Sequence, residues 1–356
     1  MGVTNRFLLP TLAVSAALVL SGCSASGPAA SAAGDLNVVA TTTQVADLTR
    51  NIVGDTAGVA LTQLIQPNQS AHSYDPSVAD LTALAAADVL VINGVGLEEW
   101  LDDAIEASGF DGVTIDADTG ITIQDVEAGH DHAGHDHAGH DDAGHDEHTD
   151  EADHAEGADE AEHDRAGGNP HIWTAVANAE MMVATIADGL AGASSTHADA
   201  FEANEAAYAG RLAQLEGWIH ENIDAVPADQ RLLVTNHDSF GYFTAAYGIT
   251  YVGSVIPSFD DNAEPSAAEI DALVAAITAT GVKAVFSEAS INPKAADTIA
   301  AEAGVTVYSG DDALYGDSLG PAGSAGATYI ASQLHNVSLI LQSWGVTPSA
   351  VPADLQ

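Results

Sequence analysis

An α/β fold, with two lobes of parallel sheet joined by one long rigid helix, is predicted by two observations. Short apolar runs alternate with helical patterns in two separate stretches, and one helical segment without proline lies between them. Strands alternating with helices build parallel sheets. In the first stretch Leu36–Ala40, Leu61–Ile65, Val89–Asn93 and, more weakly, Gly112–Ile115 read as strands, with helices at Gln44–Val53 and Val78–Ala86. In the second, Leu232–Thr235, Thr250–Val255, Ala284–Ser287 and Val305–Tyr308 read as strands. Helical patterns at Ala267–Thr280 and Pro293–Glu302 separate them, and Ala327–Trp344 reads as a closing helix. His197–Ile223 carries Phe201, Ala207, Leu212, Leu215 and Ile219 at helical spacing, with Ser195 or Thr196 as the expected cap. At 1.5 Å per residue it would span about 40 Å and form a stiff connector. The first lobe is thus expected at residues 36–194, the linking helix at 195–225 and the second lobe at 226–356.

The chain's ends and charge narrow the setting. Arg6 is followed by the apolar run Phe7–Leu20. That run is short of the ~20 residues of a membrane span and reads as a secretory signal. Leu20-Ser21-Gly22-Cys23 resembles the lipobox of bacterial lipoproteins, which implies a signal peptide over 1–22 and lipidation at Cys23. Residues 23–35 would then be a tether, holding the protein on the outer face of the cytoplasmic membrane. Acidic side chains number 52 against 7 basic ones, a formal charge of −45. Nucleic-acid binding depends on Lys and Arg neutralising phosphates, so that class is excluded. With one cysteine there is neither an intrachain disulfide nor a Cys-rich zinc module.

Residues 127–168 form a low-complexity insert in the first lobe. It opens with near-identical units, Gly129-His130-Asp131-His132-Ala133 and its repeats, which carry His135, His137, His140, His145 and His148. No apolar side chain larger than Ala occurs between Val126 and Pro170, so the segment is expected to be disordered. Imidazole-rich tracts bind zinc, copper and nickel, here loosely and several ions at once. A specific site must come from the ordered lobes. Among the remaining histidines, His72 lies in a turn-rich loop after a strand, His171 follows the insert, and His237 follows strand Leu232–Thr235. Ligands of open α/β sheets bind beyond the carboxyl ends of strands, which places these three at lobe edges. His197, His220 and His335 fall in helical patterns and are expected on solvated helix surfaces.

Pro67…His72-Ser73-Tyr74-Asp75-Pro76, Asn169-Pro170-His171-Ile172-Trp173, His237-Asp238-Ser239-Phe240-Gly241-Tyr242-Phe243 and Tyr315-Gly316-Asp317-Ser318-Leu319-Gly320 carry a family resemblance. Together with Val38-Val39-Ala40-Thr41-Thr42-Thr43, they resemble the zinc/manganese-binding substrate-binding proteins of ABC transporters, cluster A-I. The resemblance runs from about Leu36 to Trp344. It implies His72, His171, His237 and Asp317 as metal ligands in the cleft between the lobes. It also implies zinc over manganese, since zinc types have His at the third position where manganese types tend to have Glu. Three imidazoles and a carboxylate suit tetrahedral Zn²⁺. Glu288, at a strand end on the same cleft edge, and Asn236 are read as residues lining the site, with Glu288 an alternative to Asp317 as ligand. The family often has Asp where Asn169 stands, so the contacts behind His171 are expected to differ.

These readings describe the zinc-capturing component of an ABC importer: a monomer that delivers Zn²⁺ to a membrane permease. The alternatives are a manganese or nickel solute-binding protein, or a metal-binding surface adhesin lipoprotein. An enzyme is not expected. Catalytic zinc keeps an open position, which four protein ligands would fill, and neither His-Glu-x-x-His nor Gly-x-Ser-x-Gly occurs.

Overall fold

The computed structural model describes residues 1–2, 35–124 and 168–356. The lipobox with Cys23, the tether up to Gly34 and the histidine tract from His130 to His148 lie outside the described residues. Asp35–Gln356 form one compact unit. Among the described residues, no helix is long and apolar enough to cross a membrane.

The first half is a parallel sheet of β1 (Leu36–Ala40), β2 (Val59–Gln63), β3 (Val89–Ile92) and β4 (Val113–Asp116), in the order β2-β1-β3-β4. Helix α1 (Thr43–Val53) leaves β1 through Thr42, whose hydroxyl accepts a hydrogen bond from the Val45 N–H. Helix α2 (Val78–Ala85) opens on a capping box between Ser77 and Asp80. Helices α3 (Leu101–Ser108) and α4 (Val176–Ala193) complete this half. Strand β2 lies two residues earlier than its apolar run suggests. As an edge strand it alternates between half-buried and exposed positions, while Leu64 and Ile65, past its end, turn into the core.

Helix α5 (Ala198–Ile223) has 26 residues and spans about 39 Å. It packs on α1 and α4 on one side and on α9 (Tyr329–Ser343) on the other, so it touches both halves. Its start is a correction to the expected cap: neither Ser195 nor Thr196 caps it, and His197 is the boundary residue, its ring bonded to Ser194 Oγ at 2.8 Å. Burying Phe201, Leu212, Leu215 and Ile219 fixes this helix. Phe201→Ala is expected to cost about 3–5 kcal/mol, the usual cost of emptying an aromatic core position, which thermal or denaturant unfolding would read.

The second half pairs β5 (Leu232–His237) with β6 (Thr250–Ile256) and β7 (Ala284–Phe286) with β8 (Thr306–Tyr308), all parallel, with β5 packed beside β7. Helices α6 (Gly241–Tyr247), α7 (Ala267–Thr280), α8 (Lys294–Ala303) and the terminal α9 surround them. One apolar core continues through both halves, from Val38 and Ile52 through Trp173 and Ile219 to Leu233, Phe243 and Ile340. Two smaller clusters flank it, one in each half. The expected two-part α/β architecture with a long joining helix is therefore present, and it forms one tightly packed body.

Candidate metal centre

The loop after β2 brings His72 to the carboxyl edge of the first sheet. Asn68 takes a left-handed conformation there, with φ 64°. The Ser70 hydroxyl accepts from the His72 N–H at 3.2 Å, and Trp100 Nε1 donates to the Ala71 carbonyl at 3.1 Å. Tyr74 packs edge-on against Trp100. His72 is therefore held from both sides by local contacts while keeping a partly exposed ring.

His171 sits at the opposite extreme and is fully buried. Asn93, at the end of β3, donates from Nδ2 to the Pro170 carbonyl at 3.0 Å. Buried Glu98 fixes Asn93 in turn, accepting from the Asn93 N–H at 2.8 Å and the Thr41 hydroxyl at 2.6 Å. Asn169 Oδ1 accepts from His171 twice, from the backbone N–H at 3.1 Å and from ring Nδ1 at 2.8 Å. With its Nδ1 proton engaged, the neutral ring turns the lone pair of Nε2 inward. Trp173 and Phe259 pack edge-on against the same ring.

His237 is the last residue of β5, so it belongs to the strand rather than to the loop after it. Its Nδ1 meets Glu288 Oε1 at 2.6 Å, and its backbone N–H reaches the same oxygen at 3.2 Å. Glu288 follows β7 and makes an isolated parallel bridge to Leu314, beyond β8, which brings Tyr315-Gly316-Asp317 alongside. Asn336 of α9 clamps Tyr315 through both its backbone groups. The Gly316 carbonyl accepts from Gln44 Nε2 at 2.9 Å and Trp173 Nε1 at 3.1 Å, both from the first half. Gly316 itself is dictated by close approach: a Cβ there would overlap Glu288 Oε2. Asp317 is thus positioned by both halves of the molecule.

The structure brings together His72, His171, His237 and Asp317. Each offers one ligand atom, and the four atoms lie within 4.8 Å of one another. His171 Nε2 is 3.4 Å from both His72 Nε2 and His237 Nε2. Asp317 Oδ2 lies 3.3 Å from His72 and 3.0 Å from His237, and Oδ1 lies 3.1 Å from His171. Apart from these imidazoles, the two buried Asp317 oxygens have no hydrogen-bond partner among the described residues. Such a buried carboxylate is costly without a cation to face.

The electrostatics fit that description. Burial drives His171 down to about 4, so this ring is neutral at physiological pH. Burial works against charge on His237 too, but Asp317 and Glu288 outweigh it and hold its pKa well above the ordinary value. Burial likewise opposes charge on His72, and Asp317 moves it upward. Burial would raise Asp317, yet His237 and then His171 hold it well below the usual carboxylate range. These shifts favour the carboxylate form of Asp317 and the charged form of His237.

The other histidines separate as follows. His220 is on the solvated face of α5, between Glu216 and Asp224. His335 is partly buried and bonds the Ala313 carbonyl at 3.0 Å. His197 corrects its expected place on solvated helix surface, because it is buried against Phe201. Asn236 precedes His237 in β5, and alternation turns it to the other face of the strand. Its side-chain amide is buried, and no hydrogen bond among the described residues joins it to the cluster. Glu288 lines the site behind His237. Asn93 and Glu98 escape sequence reasoning as positioning residues, since isolated polar residues near a strand end carry no periodic signal, and Asn169 enters it only as a departure from the family pattern.

Comparison with known proteins identifies the family. A family model described as "Zinc-uptake complex component A periplasmic" matches residues 38–343. The manganese-binding lipoprotein MntA of Halalkalibacterium halodurans is 30% identical over 322 residues, covering 90% of this chain and 93% of that protein. The zinc-binding protein AdcA of Streptococcus pyogenes is 30% identical over 280 residues, covering 77% of this chain but only 50% of that longer protein. The solved structure of the periplasmic zinc-binding protein TroA from Treponema pallidum superposes with a TM-score of 0.70 at 23% identity. It covers 87% of this chain and 99% of that one, and it shows the same fold. These are metal-binding proteins rather than enzymes. By this match the chain belongs to the family of zinc-uptake complex component A, the extracytoplasmic metal-binding components of metal uptake systems.

Proposed function

We propose that the chain captures Zn²⁺ outside the cytoplasmic membrane and delivers it to the permease of an ABC importer, with His72, His171, His237 and Asp317 as ligands. The observation that carries this reading is the spacing of the donors. A tetrahedral zinc with bonds of ~2.0–2.1 Å sets its ligands about 3.3 Å apart. Here His171 Nε2 lies 3.4 Å from each of the other two imidazole nitrogens, each imidazole lies 3.0–3.3 Å from one or other Asp317 oxygen, and all four ligand atoms fall within 4.8 Å of one another. Three nitrogens with one carboxylate is a zinc-like donor set, whereas manganese favours oxygen. Anchoring through Cys23 is part of the proposal, supported by the lipobox and by the lipoprotein name of the MntA relative. The tract from His130 to His148 is proposed to hold further ions loosely.

A manganese reading has one observation in its favour besides that relative's name. Both oxygens of Asp317 face the cluster, so a bidentate carboxylate would supply a fifth donor. Elemental analysis of wild type and His237→Ala, each purified without added metal, separates the two. Zinc retained by wild type and absent from the variant, at one ion per chain, is the expected difference. Manganese in that difference would overturn the zinc assignment.

Capture is linked to pH through His237. An incoming cation displaces the proton that Asp317 and Glu288 keep on this ring. Protons therefore compete at every pH below its raised pKa, and affinity falls as pH falls. The fall begins above the ordinary imidazole value of about 6.5 and approaches tenfold per pH unit for each proton displaced. Zinc titrations across a pH series check both the direction and the onset.

A further inference from the structure

We infer that Asn169 sets how tightly and for how long the centre holds its ion, by giving His171 a neutral partner where His237 has a charged one. This rests on the metal site proposed above. Two of the three imidazoles have defined partners on the ring nitrogen away from the cluster. His237 Nδ1 faces a carboxylate, Glu288 Oε1, at 2.6 Å. His171 Nδ1 faces an amide oxygen, Asn169 Oδ1, at 2.8 Å. Both partners fix the tautomer and aim Nε2 inward, but only a charged one makes the imidazole a markedly stronger donor.

The orientation of the Asn169 amide is settled by its neighbours. The His171 backbone N–H can only donate, so the atom it meets at 3.1 Å is the oxygen. The amide nitrogen points at Gln124 Oε1, 3.5 Å away. The backbone is held as firmly: the Asn169 N–H donates to the Gln124 carbonyl at 2.9 Å, and the Tyr242 hydroxyl donates to the Asn169 carbonyl at 2.8 Å. Gly241 leaves room for both amides, since a Cβ there would come within 2.6 Å of Asn169 Nδ2 and 2.7 Å of Gln124 Oε1.

The position of His171 makes this choice matter. Its Nε2 is the hub of the cluster, next to both other imidazoles and to Asp317. The grip is therefore unequal. The second half contributes the carboxylate Asp317 and the carboxylate-backed His237, while the first half contributes His72 and His171, the latter backed only by an amide. An ion leaving the centre parts more easily from the first half. A carrier must give up its cargo, and Asn169 biases the site towards release.

Asn169→Asp tests this with little steric change, because the Gln124 amide can turn to donate to the new oxygen. The full chain is loaded with zinc, and its transfer to excess chelator is followed at neutral pH. The phase that Asp317→Ala lacks reports this site. Asn169→Asp is expected to tighten that site by about 10–100-fold, with release slowed to match. Glu288→Gln is expected to loosen it by a similar factor. If affinity and release rate in Asn169→Asp match those of wild type while the phase is present, the inference is overturned. If wild type and Asp317→Ala release zinc identically, the proposed metal site is overturned as well.

Discussion

Asp317→Ala is expected to lose zinc affinity by more than about 100-fold, beyond the usual effect of residues that act from behind the ligands. Asp317 is the one anion in the cluster, and its oxygens lie 3.0–3.3 Å from all three imidazoles. Removing it leaves a dication facing neutral rings, with the Glu288 charge one residue further out behind His237. The loss should also appear in stability. An ion at about a thousand times its dissociation constant adds roughly 4 kcal/mol to the folded state. Thermal unfolding with and without zinc should show a rise in wild type attributable to this site and no such increment in Asp317→Ala.

Gly316→Ala is expected to damage both the fold and the site. The new methyl group would overlap Glu288 Oε2 at a point where the chain is pinned by Gln44, Trp173 and Asn336. Overpacking of this kind costs about 1–3 kcal/mol. To relieve it, Glu288 must move off His237 Nδ1, which removes the partner that aims this ring and should weaken zinc binding by about 10–100-fold. Denaturant unfolding of the metal-free variant reads the first effect and chelator competition the second. Unchanged values in both would show that Glu288 does not depend on a bare Gly316.

The long periodic elements were legible in the sequence. Strand Leu36–Ala40 and helix Ala267–Thr280 have the boundaries their patterns indicate, and the helix at Ala198–Ile223 begins one residue inside its expected span. Elements whose signal is short or uniform were not. Helix α4, 18 residues long, is built of small or apolar residues on most sides, with Ala179, Met182, Val183, Ile186 and Leu190 buried, so no polar face marks it. Helix α3 starts at Leu101 after Trp100, which offers no side-chain cap, and the seven residues of α6 lie in an aromatic segment that also suits a strand.

At the site, the four convergent residues could be placed because each sits in a distinctive loop or strand end and the family resemblance joined them. Asn169 was noticed only as a departure from that resemblance. Its importance depends on a bond to the ring of His171 that spacing alone does not reveal. Asn93 and Glu98 act on that segment from a separate strand end, 77 residues away in the case of Asn93 and Pro170.

The decisive measurement is anomalous diffraction at the zinc edge from crystals grown with one equivalent of zinc per chain. The expected result is a single strong peak bounded by the Nε2 atoms of His72, His171 and His237 and a carboxylate oxygen of Asp317, at ~2.0–2.1 Å from each. A zinc peak elsewhere in the ordered chain, with these four side chains unligated, would contradict it.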